Sequence, residues 1–172
     1  RAGRGGLGDG DGAGAAVVGR VLGVAGVRIA GAAPVPVDPA RATRVIDAVW
    51  LIVSPGFVDL HTHLDPLLRL PGAESHVRQG VTTALGNPDG GGPWPIAGLM
   101  EEAEALGVGM NVGFMVGHNT VRGNVMGLEN RAPTASELAR MQVMVRQAMD
   151  EGACGISTGL KYLPVAFSEL SE

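Results

Sequence analysis

The chain has 172 residues, of which 45% are hydrophobic, and its 13 basic and 17 acidic residues leave a formal net charge of −4. Since neither sign of charge forms a block and no apolar stretch approaches the roughly 18 residues of a membrane span, nucleic acid and membranes are excluded as main partners. The single cysteine, Cys154, excludes an internal disulfide framework and a multi-cysteine zinc site.

The N-terminal third differs from the rest of the chain in composition and in hydrophobic pattern. Residues 1–16 are rich in glycine and alanine, and we expect them to be disordered. Residues 17–54 combine short β-branched runs with turn residues, which predicts a few short antiparallel strands, the last of them over 43–53. Because no signal peptide is visible, we expect a cytoplasmic protein, with a periplasmic or secreted one as the alternative if such a peptide has been removed.

Strands and helices alternate from residue 55 onward. Strands are predicted over the ranges 56–63, 81–86, 110–117 and 154–159. Helices are predicted over the ranges 74–80, 95–106 and 134–151, the last with a capping box formed by Thr134 and Glu137. This order predicts an α/β fold with a parallel sheet and right-handed crossovers. Four strands and three helices fit either a small doubly wound sheet or the first half of an eight-stranded barrel.

The first strand of this series ends in two histidines, His61 and His63. Residues i and i+2 of a strand point to the same side, so the two imidazoles project together while Thr62 points away. They lie at the carboxyl end of the strand, where parallel folds place their active sites. Two imidazoles on one side can chelate a metal ion, and Asp65 is either a further oxygen ligand or a loop residue. The alternative is a pair of polar residues that end a strand.

A set of motifs runs in register from about residue 43 to residue 164. They are ATRVIDAVWLIVSPG, VSPGFVDLHTHLD, RQGVTTALGN, VGHNTVRGNVMG, RAPTASELARM and GACGISTGLKYLP. In this order they resemble the D-aminoacylase branch of the amidohydrolase superfamily, the N-acyl-D-amino-acid deacylases. The resemblance implies that 55–172 is the first half, about four βα units, of a TIM-type (β/α)8 barrel of a metal-dependent hydrolase. It also implies that 17–54 is part of a small β-sandwich.

The resemblance implies a site with one or two zinc ions at the carboxyl face of the barrel, and His61 and His63 carry over directly as ligands. In many relatives the second strand ends in a cysteine ligand within a Gly-Asn-Cys-Gly turn. Here the turn is GNPDGGGPWP, in which Asp89 is the nearest residue able to bind a metal. Asp89 is therefore the candidate third ligand, and a turn aspartate within Pro-Asp-Gly is the alternative.

For substrate binding, the resemblance places His118 and Tyr162 near the pocket, with Tyr162 as a hydrogen-bond donor. Ser157 and Thr158 are further residues that can line it. Arg122 is a candidate for a bidentate contact with a substrate carboxylate. The alternatives are structural: a histidine that is hydrogen-bonded in a loop, and an arginine that is solvated or paired within the chain. The catalytic residue stays unknown, because the family's general-base aspartate comes from the eighth strand, beyond the last residue here.

The function implied is hydrolysis of the amide bond of N-acyl-D-amino acids by zinc-activated water. We expect little or no deacylase activity from this chain alone, because the family takes further ligands from later strands. One alternative is a non-catalytic fragment or subunit that needs a partner chain to complete the barrel, and the open barrel edge predicts self-association. A second is a cyclic amidase like the hydantoinases and dihydroorotases. A third is an unrelated α/β domain that binds an anion through the loop GNPDGGG at a helix N-terminus.

Overall fold

The computed structural model describes residues 40, 42–169 and 172 with their side chains, and 21–25 and 28–33 as backbone. The prediction for residues 1–16 lies outside these residues. The chain divides into two units, Arg1–Pro55 and Gly56–Glu172. Among the described helices, none has both the length and the apolar character needed to cross a membrane.

The first unit contains an antiparallel strand pair, β1 (Val21–Ala25) and β2 (Arg28–Ala33). This pair confirms that short antiparallel strands form here, as the β-branched runs predicted. The strand predicted over 43–53 is wrong, because the segment instead turns where the Leu51 N–H donates to Ala48 O at 2.9 Å. A strand needs a hydrogen-bonded neighbour, and none of the strands described in the structure pairs with this segment.

The second unit alternates strands and helices, in broad agreement with the predicted order. Its elements are β3 (Phe57–Asp59), α1 (Glu74–Val77), β4 (Val81–Gly86), α2 (Ala97–Leu106), β5 (Asn111–Phe114), β6 (Val116–Gly117), α3 (His118–Met126), α4 (Ala135–Asp150), β7 (Ile156–Ser157) and a short 3-10 helix (Val165–Phe167). β3, β4 and β5 form a parallel sheet in that order. β6 and β7 form a parallel pair.

The two parallel groups of strands are linked by backbone hydrogen bonds. The Cys154 N–H donates to Phe114 O at 2.8 Å, and the Val116 N–H donates to Gly155 O at 2.9 Å. The segment that leads into β7 therefore runs beside β5 and β6, and the strands follow one another in chain order. This confirms the parallel arrangement that the alternation predicted.

Several predicted boundaries are wrong. The strand predicted over 110–117 divides at Met115, because the Met115 N–H still donates to Gly86 O of β4 at 3.2 Å, whereas Val116 begins the pairing with β7. The first predicted strand stops at Asp59, and the last is reduced to two residues. Helix α2 begins at Ala97 rather than at Pro95, and the N–H groups of Ile96 and Ala97 at its start bind the Glu151 carboxylate at 2.9 and 3.2 Å. With those groups occupied, the structure does not support the anion-binding alternative.

The sequence does not predict helix α3, and its residues follow the third predicted strand as an expected loop. Its sequence, HNTVRGNVM, contains asparagine, threonine and glycine, which have low helix propensity. Three of its side chains, Val121, Arg122 and Met126, are buried. Packing therefore stabilises this helix more than its intrinsic propensity does, as is usual for short helices in proteins.

Helix α4 agrees with the prediction over its whole length. The Thr134 hydroxyl accepts the Glu137 N–H at 3.3 Å, and the Glu137 carboxylate accepts the Thr134 N–H at 2.8 Å. These two bonds form the predicted capping box, which satisfies donors that have no partner within the helix. On its inner face α4 buries Met141 and Ala148 in the same cluster as Ala84 of β4. This cluster anchors the helices to the sheet whose strand ends carry the candidate site.

Candidate metal centre

The two histidines lie just beyond the end of β3. His61 and His63 are exposed, whereas Thr62 and Leu64 between and after them are buried. The Thr62 N–H still donates to Leu85 O at 3.2 Å, so the segment continues beside β4 after regular pairing stops. The two rings lie together, with their centroids 5.8 Å apart. The alternation predicted from the sequence therefore persists, although the strand itself is shorter than predicted.

Asp89 lies in the loop that follows β4. Asn87 and Asp89 both have left-handed backbone conformations, with φ of 59° and 58°, which asparagine and aspartate tolerate better than other non-glycine residues. The Asp89 Oδ2 atom lies 3.4 Å from His61 Nε2 and 3.4 Å from His63 Nε2. The Asp65 Oδ2 atom instead lies 4.0 Å from the other ring nitrogen of His63, Nδ1, so Asp65 is not part of this group. The structure thus brings the three predicted ligands together.

The donor set and its spacing fit a zinc ion. The ligand atoms of His61, His63 and Asp89 all lie within 4.8 Å of one another, and no other set of three such side chains occurs among the described residues. Zinc binds nitrogen and oxygen ligands at about 2.1 Å, so neighbouring ligands of a tetrahedral ion lie roughly 3.4 Å apart. The two nitrogen-to-oxygen distances match that value. Both imidazoles are 64% exposed, which leaves the centre open on its solvent side.

Among the residues predicted to bind substrate, Tyr162 packs against Gly159, which also faces the backbone of this loop. A Cβ atom added at Gly159 would lie 2.4 Å from Asp89 O and 2.7 Å from Tyr162 Cδ2. Gly159 therefore lies between the backbone of this loop and the Tyr162 ring, in a space that leaves no room for a larger side chain. Tyr162 is 49% exposed, so its side chain is accessible from solvent.

His118 and Arg122 are paired within the chain. The Arg122 guanidinium is completely buried, binds the Glu172 carboxylate, and donates to the carbonyl oxygens of Glu129 and Arg131 at 3.1 and 2.8 Å. His118 Nε2 lies 3.3 Å from a Glu172 oxygen, and its Nδ1 shares a hydrogen bond with the hydroxyl of Thr158, just after β7. Both residues therefore have the structural role that the sequence left open as the alternative to substrate binding.

Sequence reasoning missed Asn119, which contacts the loop from the first turn of α3. Its side-chain amide donates to Asp89 O at 2.9 Å. No local pattern marks this residue, because its partner lies thirty positions earlier in the chain. Ser157, predicted to line the pocket, is instead buried against the backbone of the same loop.

No family model matches the chain, but comparison with individual proteins finds relatives of known name. The chain is 38% identical over 175 residues to D-aminoacylase of Alcaligenes xylosoxydans xylosoxydans, covering 88% of this chain and 36% of that protein. It is 33% identical to the N-acyl-D-glutamate deacylase of the same organism, covering 88% of this chain and 35% of that protein. The chain is a homologue of the D-aminoacylases. The resemblance inferred from the motifs is thereby confirmed, and these D-aminoacylase relatives are amidohydrolases.

Solved structures support the same relationship. A D-aminoacylase with a binuclear metal centre matches with a TM-score of 0.76 and 34% identity, over 87% of this chain and 36% of that one. The N-acyl-D-glutamate deacylase of Bordetella bronchiseptica, complexed with zinc and a phosphonate inhibitor, matches with a TM-score of 0.63 and 30% identity. That match covers 68% of this chain and 30% of the deacylase. The chain therefore spans about a third of the length of its D-aminoacylase relatives.

Proposed function

We propose that this chain is part of a zinc-dependent hydrolase that deacylates N-acyl-D-amino acids. One observation carries the proposal: His61, His63 and Asp89 converge at the spacing of zinc ligands in a homologue of the D-aminoacylases. A solved relative that is an N-acyl-D-glutamate deacylase holds zinc, which supports zinc as the metal here. The site would take one or two ions.

The proposed fold is the first half of a (β/α)8 barrel. The parallel order of β3, β4 and β5, followed by β6 and β7, supports this proposal. The likeness to D-aminoacylase at a TM-score of 0.76, over 36% of that protein, is also what half a barrel would give. The β1–β2 pair is proposed to belong to a small β-sandwich that precedes the barrel.

In the proposed reaction, the imidazoles of His61 and His63 and the Asp89 carboxylate hold the ion at the ends of the first two barrel strands. Zinc, when bound, makes water more acidic and polarises an amide carbonyl. Because both rings are exposed, a substrate amide can approach the centre from the solvent side. The Tyr162 hydroxyl, beside the Asp89 loop, is the proposed hydrogen-bond donor to that substrate.

The first experiment is zinc stoichiometry of the purified chain by elemental analysis. We expect bound zinc in the chain, and its loss in the His61→Ala/His63→Ala double variant. The matched control is His76→Ala, because His76 lies on α1 and its ring bonds to Ser75 rather than to the candidate ligands. Zinc that stays bound in the double variant would show that the metal is held elsewhere.

The reaction is tested by measuring the amine released from N-acyl-D-amino acids, with the L enantiomers as controls. We expect little or no turnover from this chain alone, because the described residues offer one group of three candidate ligands, and a bound ion would occupy all three. Robust turnover that disappears in the double histidine variant would overturn this expectation and show that the chain's own groups complete the site.

A further inference from the structure

The loop that carries Asp89 is held by a serine from a distant strand. The Ser157 hydroxyl of β7 donates to Asn87 O at 2.6 Å and accepts the Gly90 N–H at 3.0 Å. Ser157 is only 8% exposed, so these bonds are sheltered from water. One side chain thus bridges the backbone on both sides of Asp89.

The same loop is also held by the first turn of α3. The Asn119 amide nitrogen donates to Asp89 O at 2.9 Å, and its amide oxygen accepts the Val165 N–H at 3.1 Å. The Thr120 N–H donates to Gly90 O at 3.2 Å. Asn119 therefore connects the Asp89 backbone to the 3-10 helix near the end of the described chain.

The loop also has little space in which to move. A Cβ atom added at Gly117 would lie 2.2 Å from Gly90 O, and one added at Gly159 would lie 2.4 Å from Asp89 O. Backbone therefore packs directly against backbone on two sides of the loop. The left-handed conformations of Asn87 and Asp89 are sparsely populated and persist where surrounding contacts hold them.

We propose that Ser157 and Asn119 are positioning residues of the metal centre. Neither reaches His61 or His63, and both act through the loop backbone, which directs the Asp89 carboxylate towards the two imidazoles. This inference rests on the proposed function, in which Asp89 is a zinc ligand. Polar groups that orient a metal ligand typically change metal affinity by about 10–100-fold when they are removed.

The test uses the full chain with Co²⁺ as the probe, because its visible absorption reports the ligand geometry. We expect Ser157→Ala and Asn119→Ala each to weaken Co²⁺ binding by about tenfold or more and to change the absorption spectrum. Ser157→Thr keeps the hydroxyl and should restore most of the lost affinity. The control is Ser168→Ala, which removes a buried hydroxyl that has no hydrogen-bond partner among the described residues.

A second measurement needs no metal. In the metal-free chain at a single pH, NMR signals of the His61 and His63 rings report their contact with Asp89. We expect both to shift in Ser157→Ala and Asn119→Ala, while the His76 signals stay unchanged in the same spectra. Asn119→Ala serves alone if circular dichroism shows that Ser157→Ala does not fold.

The two measurements separate the possible failures. Unchanged Co²⁺ affinity together with unchanged His61 and His63 signals would overturn the positioning role. If the parent chain binds no Co²⁺ but the ring signals shift, the proposed metal function fails while the positioning of Asp89 stands. If no signal shifts, the positioning role falls whether or not metal binds.

Discussion

Two requirements meet at Asp89. Its backbone must be left-handed in order to follow the turn after β4, and its carboxylate must face both imidazoles at 3.4 Å. Aspartate and asparagine both tolerate the left-handed region, but only aspartate brings a negative charge between the two rings. The sequence left open whether this residue was a ligand or an ordinary turn aspartate, and the structure makes it able to be both.

Asp89→Asn is therefore the substitution that isolates the charge. Because asparagine has the same shape and the same backbone tolerance, we expect the loop to keep its conformation while zinc affinity falls by about tenfold or more. Competition with a chelating dye measures this affinity. The matched control is Asp65→Asn, which removes the same charge 4.0 Å from His63 Nδ1 and should leave the affinity nearly unchanged. Equal losses in both variants would indicate a general electrostatic effect.

At the scale of single elements, α4 shows how local bonds set a helix boundary. Its capping box satisfies N–H donors that the helix cannot pair internally. Arg131 joins the box through two bonds of 2.8 Å to the Glu137 carboxylate. The start of this helix was predicted correctly because all of its determinants lie within six positions in the sequence.

Thr134→Ala removes the cap hydroxyl. We expect the free energy of unfolding to fall by about 1 kcal/mol, the usual cost of losing such a cap. Urea unfolding followed by circular dichroism measures the change. The control is Ser136→Ala, whose hydroxyl bonds only to the Thr134 hydroxyl in the structure and which should have a much smaller effect. A similar loss in both variants would count against the cap as the cause.

The same capping box predicts a pH dependence. The bonds from Arg131, followed by those from Thr134, hold the pKa of the Glu137 carboxyl well below its ordinary value of 4.5. A lowered folded-state pKa contributes stability that is fully present above the unfolded pKa and is lost as the pH falls towards the folded one. We therefore expect the stability difference between the parent chain and Glu137→Gln to shrink steadily below pH 4.5.

Urea unfolding of both proteins from about pH 7 down to about pH 3 tests this expectation. A difference that stays constant over this interval would show that the ionised carboxylate does not contribute to the stability of the folded chain.

At the scale of the whole molecule, the second unit has an exposed strand at one edge of its sheet. β3 is the outer strand beside β4, and its neighbouring side chains Phe57 and Val58 are 61% and 58% exposed. Successive residues of a strand point to opposite faces, so β3 is exposed on both faces, and none of the described strands pairs with its outer edge. Such strands offer unpaired hydrogen-bonding groups and apolar surface to another chain.

We therefore expect the purified chain to self-associate through this edge. Val58→Lys places a charge on the strand and should lower the extent of association, as measured by sedimentation velocity over a series of concentrations. The control is Val143→Lys on α4, which adds the same charge at a position that is 59% exposed. A parent chain that stays monomeric at every concentration would contradict the prediction.

Sequence by itself determined the alternation of strands and helices that makes the sheet parallel, helix α4 with its cap, and the placement of His61 and His63 on one side. These features depend on periodicity and on bonds between near neighbours, which the sequence displays directly. The family relationship also came from short motifs in the right order.

Only the tertiary structure decided the rest. Asp89 meets the histidines because the ends of β3 and β4 lie side by side, and its loop is fixed by Ser157, about seventy positions away. Helix α3 forms through packing against its neighbours, which also buries Arg122. Each of these outcomes depends on partners that are distant in sequence, and such partners leave no local pattern to find.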